Sequence, residues 1–90
     1  MIRNNRPLVQ GIITAFLFLE CSGDNEVDPD SAVRCMENMA ADLLQLEESD
    51  QLALREELEM IASSEEERSS YRDFVRQLPD WIGLAGGQEN

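Results

Sequence analysis

Hydrophobic side chains recur at spacings of three and four residues along most of the chain, which is the period of an amphipathic α-helix. The most regular stretch has apolar positions at Ala32, Met36, Met39, Leu43 and Leu46, widened by Val33, Ala40 and Leu44. Such a stripe predicts a core-facing helix over about residues 29–47. Asp28 and Pro29 supply its start, because aspartate caps helix N-termini and proline fits the first helical position.

A third helix follows from the same spacing and spans about residues 50–62. Its inner positions are Leu54, Leu58 and Ile61, with Leu52 and Met60 at the flanks. Ser49 is its predicted cap, and Arg55 and Glu59 are spaced to form an ion pair one turn apart.

The fourth helix begins at Ser64 or at Ser70, because each serine has an acidic residue three positions later and can open a capping box. Its inner positions are Tyr71, Phe74, Val75 and Leu78. Pro79 is expected to end it, since proline lacks the backbone N–H that a helix interior uses. Three apolar residues beyond it are expected to fold back over the bundle as a hydrophobic plug: Trp81, Ile82 and Leu84.

Residues 8–19 form the most apolar segment, and Asn5, Arg6 and Pro7 before them are typical of a helix start. The predicted core face consists of Leu8, Ile12, Ala15, Phe16 and Leu19. A helix that is apolar nearly all round is usually buried on more than one side. We therefore expect the side that carries Gly11, Thr14 and Phe18 to pack against another surface, such as a second copy of the chain in a homodimer.

Other interpretations of this segment stay open. The two arginines before it and Cys21 after it resemble the export signal of a small lipoprotein or periplasmic protein, although Glu20 stands where lipoprotein cleavage needs a small residue. A β-strand would have to pair with another chain, because no other segment is predicted to be a strand. A transmembrane helix needs roughly 20 apolar residues and fits this shorter run poorly.

Together these patterns predict an all-α fold, a small bundle of three to four short helices closed by the C-terminal hydrophobic plug. The length of 90 residues allows a single domain over residues 1–90. Within it, residues 1–6 are expected to form an N-terminal tail and residues 85–90 a flexible, glycine-rich C-terminal tail.

The charge composition reduces the number of functional classes that fit this chain. The net charge is −12, with 19 acids against 7 bases, and every base is arginine. This charge repels nucleic acid phosphates and anionic membrane surfaces, so we expect a basic protein partner and a cytoplasmic location. Without histidine or lysine, the chain lacks the commonest general base, the commonest metal ligand and any Schiff-base nucleophile.

The remaining chemistry does not point to an enzyme, a cofactor or a metal. The alternating acids Asp24, Glu26, Asp28 and Asp30 resemble a calcium loop. Counted from the first of them, the sixth and twelfth positions hold Pro29 and Cys35, where that loop needs glycine and glutamate. Helix capping is therefore preferred. Cys21 and Cys35 are expected to be two buried, reduced thiols rather than a disulfide.

These inferences lead to a non-catalytic, acidic, helical protein-interaction module that occludes a basic partner. Immunity proteins of nuclease bacteriocins resemble the chain in size, charge and helix content, although no sequence motif carries the likeness. The expected partner-binding residues are the acids of two segments: Asp24, Glu26, Asp28, Asp30, Glu65, Glu66 and Glu67. A homo-oligomeric structural or adaptor protein, held through the first helix, is the alternative function, and an exported lipoprotein or periplasmic protein is a second.

Overall fold

The computed structural model describes residues 5–64 and 70–87. This part of the chain contains four helices and no strand, which confirms the predicted all-α class. The helices are α1 (Arg6–Cys21), α2 (Pro29–Leu43), α3 (Glu48–Ser64) and α4 (Ser70–Ile82). Of these helices, none is both long enough and apolar enough to cross a membrane. The predicted contact residues Glu65, Glu66 and Glu67 lie outside the described residues.

The turn between α2 and α3 comes earlier in the chain than the sequence predicted. Helix α2 ends at Leu43 instead of residue 47, because the backbone shifts to i→i−3 hydrogen bonds at Gln45 and Leu46. The Gln51 side-chain amide donates to the carbonyl oxygens of Leu44 and Leu46, at 3.1 and 2.9 Å. These bonds satisfy carbonyl groups that the end of a helix leaves open. Helix α3 consequently starts at Glu48, two residues before its predicted start.

The core is built from all four helices and from Leu84, two residues after the last helix. Its buried apolar members are Val9, Ile13, Phe16, Met36, Ala40, Leu54, Leu58, Ile61, Ala62, Val75, Leu78, Ile82 and Leu84. The inner stripe predicted for α3 is confirmed at Leu54, Leu58 and Ile61. Two residues predicted to widen the stripe of α2, Val33 and Leu44, are instead exposed.

The buried face of α1 differs from the predicted one. Val9, Ile13 and Phe16 are buried, whereas Leu8 is 51% exposed and Ala15 is also exposed. The inward face is therefore rotated by about one residue from the predicted face. No charged residue lies between Arg6 and Glu20, so no charge marks the outward side of this helix in the sequence.

Pro79 does not end α4, contrary to the prediction. It is buried inside the helix, which continues to Ile82. The missing N–H removes one helical hydrogen bond, and the Pro79 carbonyl then accepts from both Gly83 N and Leu84 N at 3.0 Å. Gly83 has a φ of +91°, the left-handed conformation with which glycine closes a helix.

The predicted plug is formed only in part. Ile82 and Leu84 are buried, but Trp81 is 49% exposed and contacts the Phe16 ring edge-to-face at a centroid distance of 5.9 Å. Ala85 was expected to begin the flexible tail. Its N–H donates to Gln51 Oε1 at 3.0 Å and its carbonyl accepts from Arg55 Nε at 2.8 Å, so its backbone is anchored on α3.

Candidate partner-binding surface

The link between α1 and α2 presents four exposed carboxylates, Asp24, Glu26, Asp28 and Asp30. Two of them have local structural roles. Asp28 Oδ2 accepts from the backbone N–H of Ser31 at 3.1 Å and caps α2, as predicted. Glu26 Oε1 accepts from the N–H of Gly23 at 3.1 Å and closes the turn. The side-chain carboxylates of Asp24 and Asp30 accept no hydrogen bond from the described residues and are exposed, so they remain open to a partner.

None of the ion pairs present in the described residues involves an acid of this link. They join Arg6 with Glu57, Arg55 with Glu59 and Asp80, and Arg72 with Asp73. Within residues 5–64 and 70–87, no group of three or more potential ligands is placed to hold a metal ion. The link is therefore an exposed acidic surface whose carboxylates form no ion pair with the described residues.

The outward face of α1 is accessible and uncharged. Gly11, Thr14 and Phe18, predicted to form an interface, are all exposed, and Phe18 is 55% exposed. A Cβ atom added at Gly11 would meet nothing within 4 Å. The structure therefore places these three residues on one accessible side of the helix.

A groove lies between the C-terminal end of α1 and the N-terminal end of α4, two helices that pack sparsely against each other. It has a volume of about 650 Å³. Its lining residues are Thr14, Leu17, Phe18, Cys21, Ser22, Glu26, Ser70, Tyr71 and Phe74. Tyr71 and Phe74 also pack against the core, so the floor of the groove is fixed by the fold.

Sequence reasoning placed Tyr71 and Phe74 in the core and did not find this groove. Periodicity identifies which residues of one helix share a face, but it does not identify a seam between helices distant in sequence. Phe18 was the available signal, since it is a large apolar residue on the polar side of its own helix.

Both thiols are exposed, which corrects the prediction that they are buried. Cys21 lines the groove, whereas Cys35 lies on α2 with its sulfur 3.9 Å from Met39 Sδ. Both cysteines are free, in agreement with the expectation that they are not bridged. They therefore offer one reactive group inside the groove and one outside it.

The chain matches no family model, and neither a curated protein nor a solved structure shows significant similarity to it. The acidic link, the outward face of α1 and the α1–α4 groove are the accessible surfaces that can bind a partner.

Proposed function

We propose that the chain is a non-catalytic interaction module whose acidic link binds and occludes a basic partner protein. The supporting observation is that Asp24, Glu26 and Asp30 are exposed on one link and form no ion pair within the described residues. Exposed charge of one sign attracts a basic partner over distance and accelerates encounter. The module acts in the manner of an immunity or antitoxin protein, in a reducing compartment such as the cytoplasm, where two exposed thiols stay reduced.

The two helices on either side make the link suitable for recognition. Asp28 fixes the start of α2, and Glu26 fixes the turn that follows α1. The carboxylates are thus presented from a structured turn, which lowers the entropy lost when a partner binds. Asp28 serves mainly the fold in this proposal, while Asp24, Glu26 and Asp30 contact the partner.

The test is affinity capture from the source cell with the intact chain as bait, followed by elution in a salt gradient. We expect a protein with a basic face that is released as ionic strength rises, because salt screens exposed charges beyond about 10 Å at 0.1 M. Capture that is insensitive to salt, or the absence of any specific partner, would contradict the proposal.

A second candidate function is homo-oligomerisation through the outward face of α1, supported by the exposure of Gly11, Thr14 and Phe18. Small residues at Gly11 and Ala15 allow another helix to approach closely. Light scattering after size exclusion tests this candidate. A dimer that Phe18→Glu converts to a monomer would support it, whereas a monomer at micromolar concentration would exclude it.

A further inference from the structure

We propose that the α1–α4 groove binds a cationic amphipathic helix of the basic partner, with the apolar face of that helix seated on Phe18, Tyr71 and Phe74. This inference rests on the proposed function, because it assigns the surface and the chemistry by which that partner is held. The groove adds apolar contacts to those of the acidic link. The charges of the link by themselves accelerate association but contribute limited affinity.

The lining of the groove favours apolar anchors over a polar small molecule. Two of its hydroxyl groups, those of Thr14 and Ser22, donate to the carbonyl oxygens of Gln10 and Phe18 in their own helix. Most of the surface that the described residues present to the groove is carbon. Small-molecule sites usually have several polar groups that converge on the ligand, whereas a mostly apolar lining suits apolar side chains. A helix with apolar residues at i, i+3, i+4 and i+7 matches such a surface.

The charge at the edge of the groove favours a cationic helix. Glu26 lines it, and only one of the Glu26 carboxylate oxygens is used by Gly23, so the other can accept from an arginine or lysine. A smaller cavity continues the surface along α4 through Phe74, and Glu20 and Trp81 line it. Among the described residues, no arginine lines either cavity. A helix along this seam would meet carboxylates beside its apolar contacts.

The same charges disfavour a second copy of the chain as the occupant. Two copies that met through this groove would bring Glu20 and Glu26 of each together, and each chain carries a net charge of −12. Like charges at a contact are destabilising, and no arginine of residues 5–64 and 70–87 lines these cavities to compensate them.

The alkylation rates of the two cysteine thiols show which surface a bound peptide covers. The probe is an amidated peptide of about 18 residues, with leucine at i, i+3, i+4 and i+7 and arginine elsewhere. Iodoacetamide labelling of the native chain is followed by mass spectrometry at Cys21, inside the groove, and at Cys35, outside it. At about ten times the dissociation constant, we expect labelling of Cys21 to slow about tenfold and labelling of Cys35 to stay unchanged.

Matched variants separate the apolar and charged contributions. Phe18→Ser should weaken peptide binding about tenfold, whereas Leu8→Ser, at a similarly exposed site on the same helix but outside the groove, should leave it unchanged. Glu26→Gln should weaken binding about threefold, and Glu56→Gln, the same charge change on α3, should have a smaller effect. Circular dichroism of each variant verifies that the helices are intact.

Four results would overturn the groove proposal. The first is equal protection of Cys21 by a scrambled peptide of the same composition, which would show general charge attraction. The second is binding of the amphipathic peptide in calorimetry without protection of Cys21, and the third is no binding at all. The fourth is protection of Cys21 that rises with protein concentration in the absence of peptide, which would assign the groove to a second copy. Each of these outcomes is compatible with a partner that affinity capture finds and that salt releases. Failure of the groove proposal can therefore be distinguished from failure of the proposed function.

Discussion

Arg55 and Asp80 join α3 to α4, with Arg55 Nη1 3.0 Å from Asp80 Oδ1. The same guanidinium donates to the carbonyl oxygens of Leu84 and Ala85, each at 2.8 Å. Arg55 is 9% exposed, so these bonds form in a largely desolvated position, where hydrogen bonds to a charged group are stronger than in water. One side chain therefore anchors the segment that follows α4.

The arginine should contribute more to stability than its aspartate partner. We expect Arg55→Ala to lower the free energy of unfolding by about 2–4 kcal/mol, because two backbone carbonyls lose a charged donor. Asp80→Asn should cost less than about 1 kcal/mol, since the Asp80 side chain is 68% exposed and the carbonyl bonds remain. Urea denaturation measures both, and equal losses would contradict this division.

Substituting glycine by alanine should change the stability of the protein in opposite directions at two positions. Gly86 has a φ of +88°, and an added Cβ would lie 2.6 Å from Leu52 Cδ2 and 3.3 Å from Arg55 Cδ. Leu52 is exposed and can move, so backbone strain dominates, and Gly86→Ala should destabilise by about 1–2 kcal/mol. Gly11→Ala, in an open helical position, should stabilise by about 0.5–1 kcal/mol. Thermal unfolding of both variants tests this, because the unfolding temperature should fall for Gly86→Ala and rise for Gly11→Ala.

The orientation of α1 predicts a contrast between two phenylalanines. Phe16 is buried and Phe18 is exposed, so Phe16→Ala should cost about 3–5 kcal/mol and Phe18→Ala less than about 1 kcal/mol. Ile13→Val, at another buried position, provides a milder test and should cost about 0.5–1.5 kcal/mol if Phe16→Ala does not fold. Chemical denaturation gives the free energies, and a larger loss at Phe18 than at Phe16 would show that the opposite face is buried.

Two aspartates on the link should differ in their contribution to stability, because only Asp28 caps a helix. Asp28→Ala removes the acceptor for Ser31 N and should destabilise by about 1 kcal/mol. Asp24→Ala removes an exposed carboxylate without a hydrogen bond in the described structure and should change stability by less than about 0.5 kcal/mol. Equal effects in urea denaturation would mean that the cap contributes nothing specific.

The contrast between α3 and α1 explains how far the sequence could predict the fold. In α3, charged residues mark the outer side, and the predicted inner residues Leu54, Leu58 and Ile61 are indeed buried. In α1, no charge marks a face between Arg6 and Glu20, and the predicted register was wrong by about one residue. Periodicity thus fixes orientation only where polar residues oppose the apolar stripe.

Long-range contacts account for the other differences. The sequence predicted only the local Arg55–Glu59 pair, which is present at 4.0 Å, and missed the bonds from Arg55 to backbone about thirty residues away. The acidic link could be predicted from the sequence because its four acids lie close together along the chain. The groove was missed because Phe18 and Tyr71 approach each other only after the bundle forms.

The most direct test of charge-steered recognition is the association rate of the captured partner with two matched triple variants. One neutralises the link through Asp24→Asn, Glu26→Gln and Asp30→Asn, and leaves the Asp28 cap intact. The other makes the same net charge change at exposed positions near or on α3, through Glu47→Gln, Glu48→Gln and Glu56→Gln.

Stopped-flow measurement at several salt concentrations gives both the rate and its ionic-strength dependence. The account predicts that the link variant associates about tenfold more slowly and with a weaker salt dependence, while the α3 variant stays within about twofold of the unmodified chain. Equal rates for the two variants, or an unmodified rate that does not fall with salt, would contradict it.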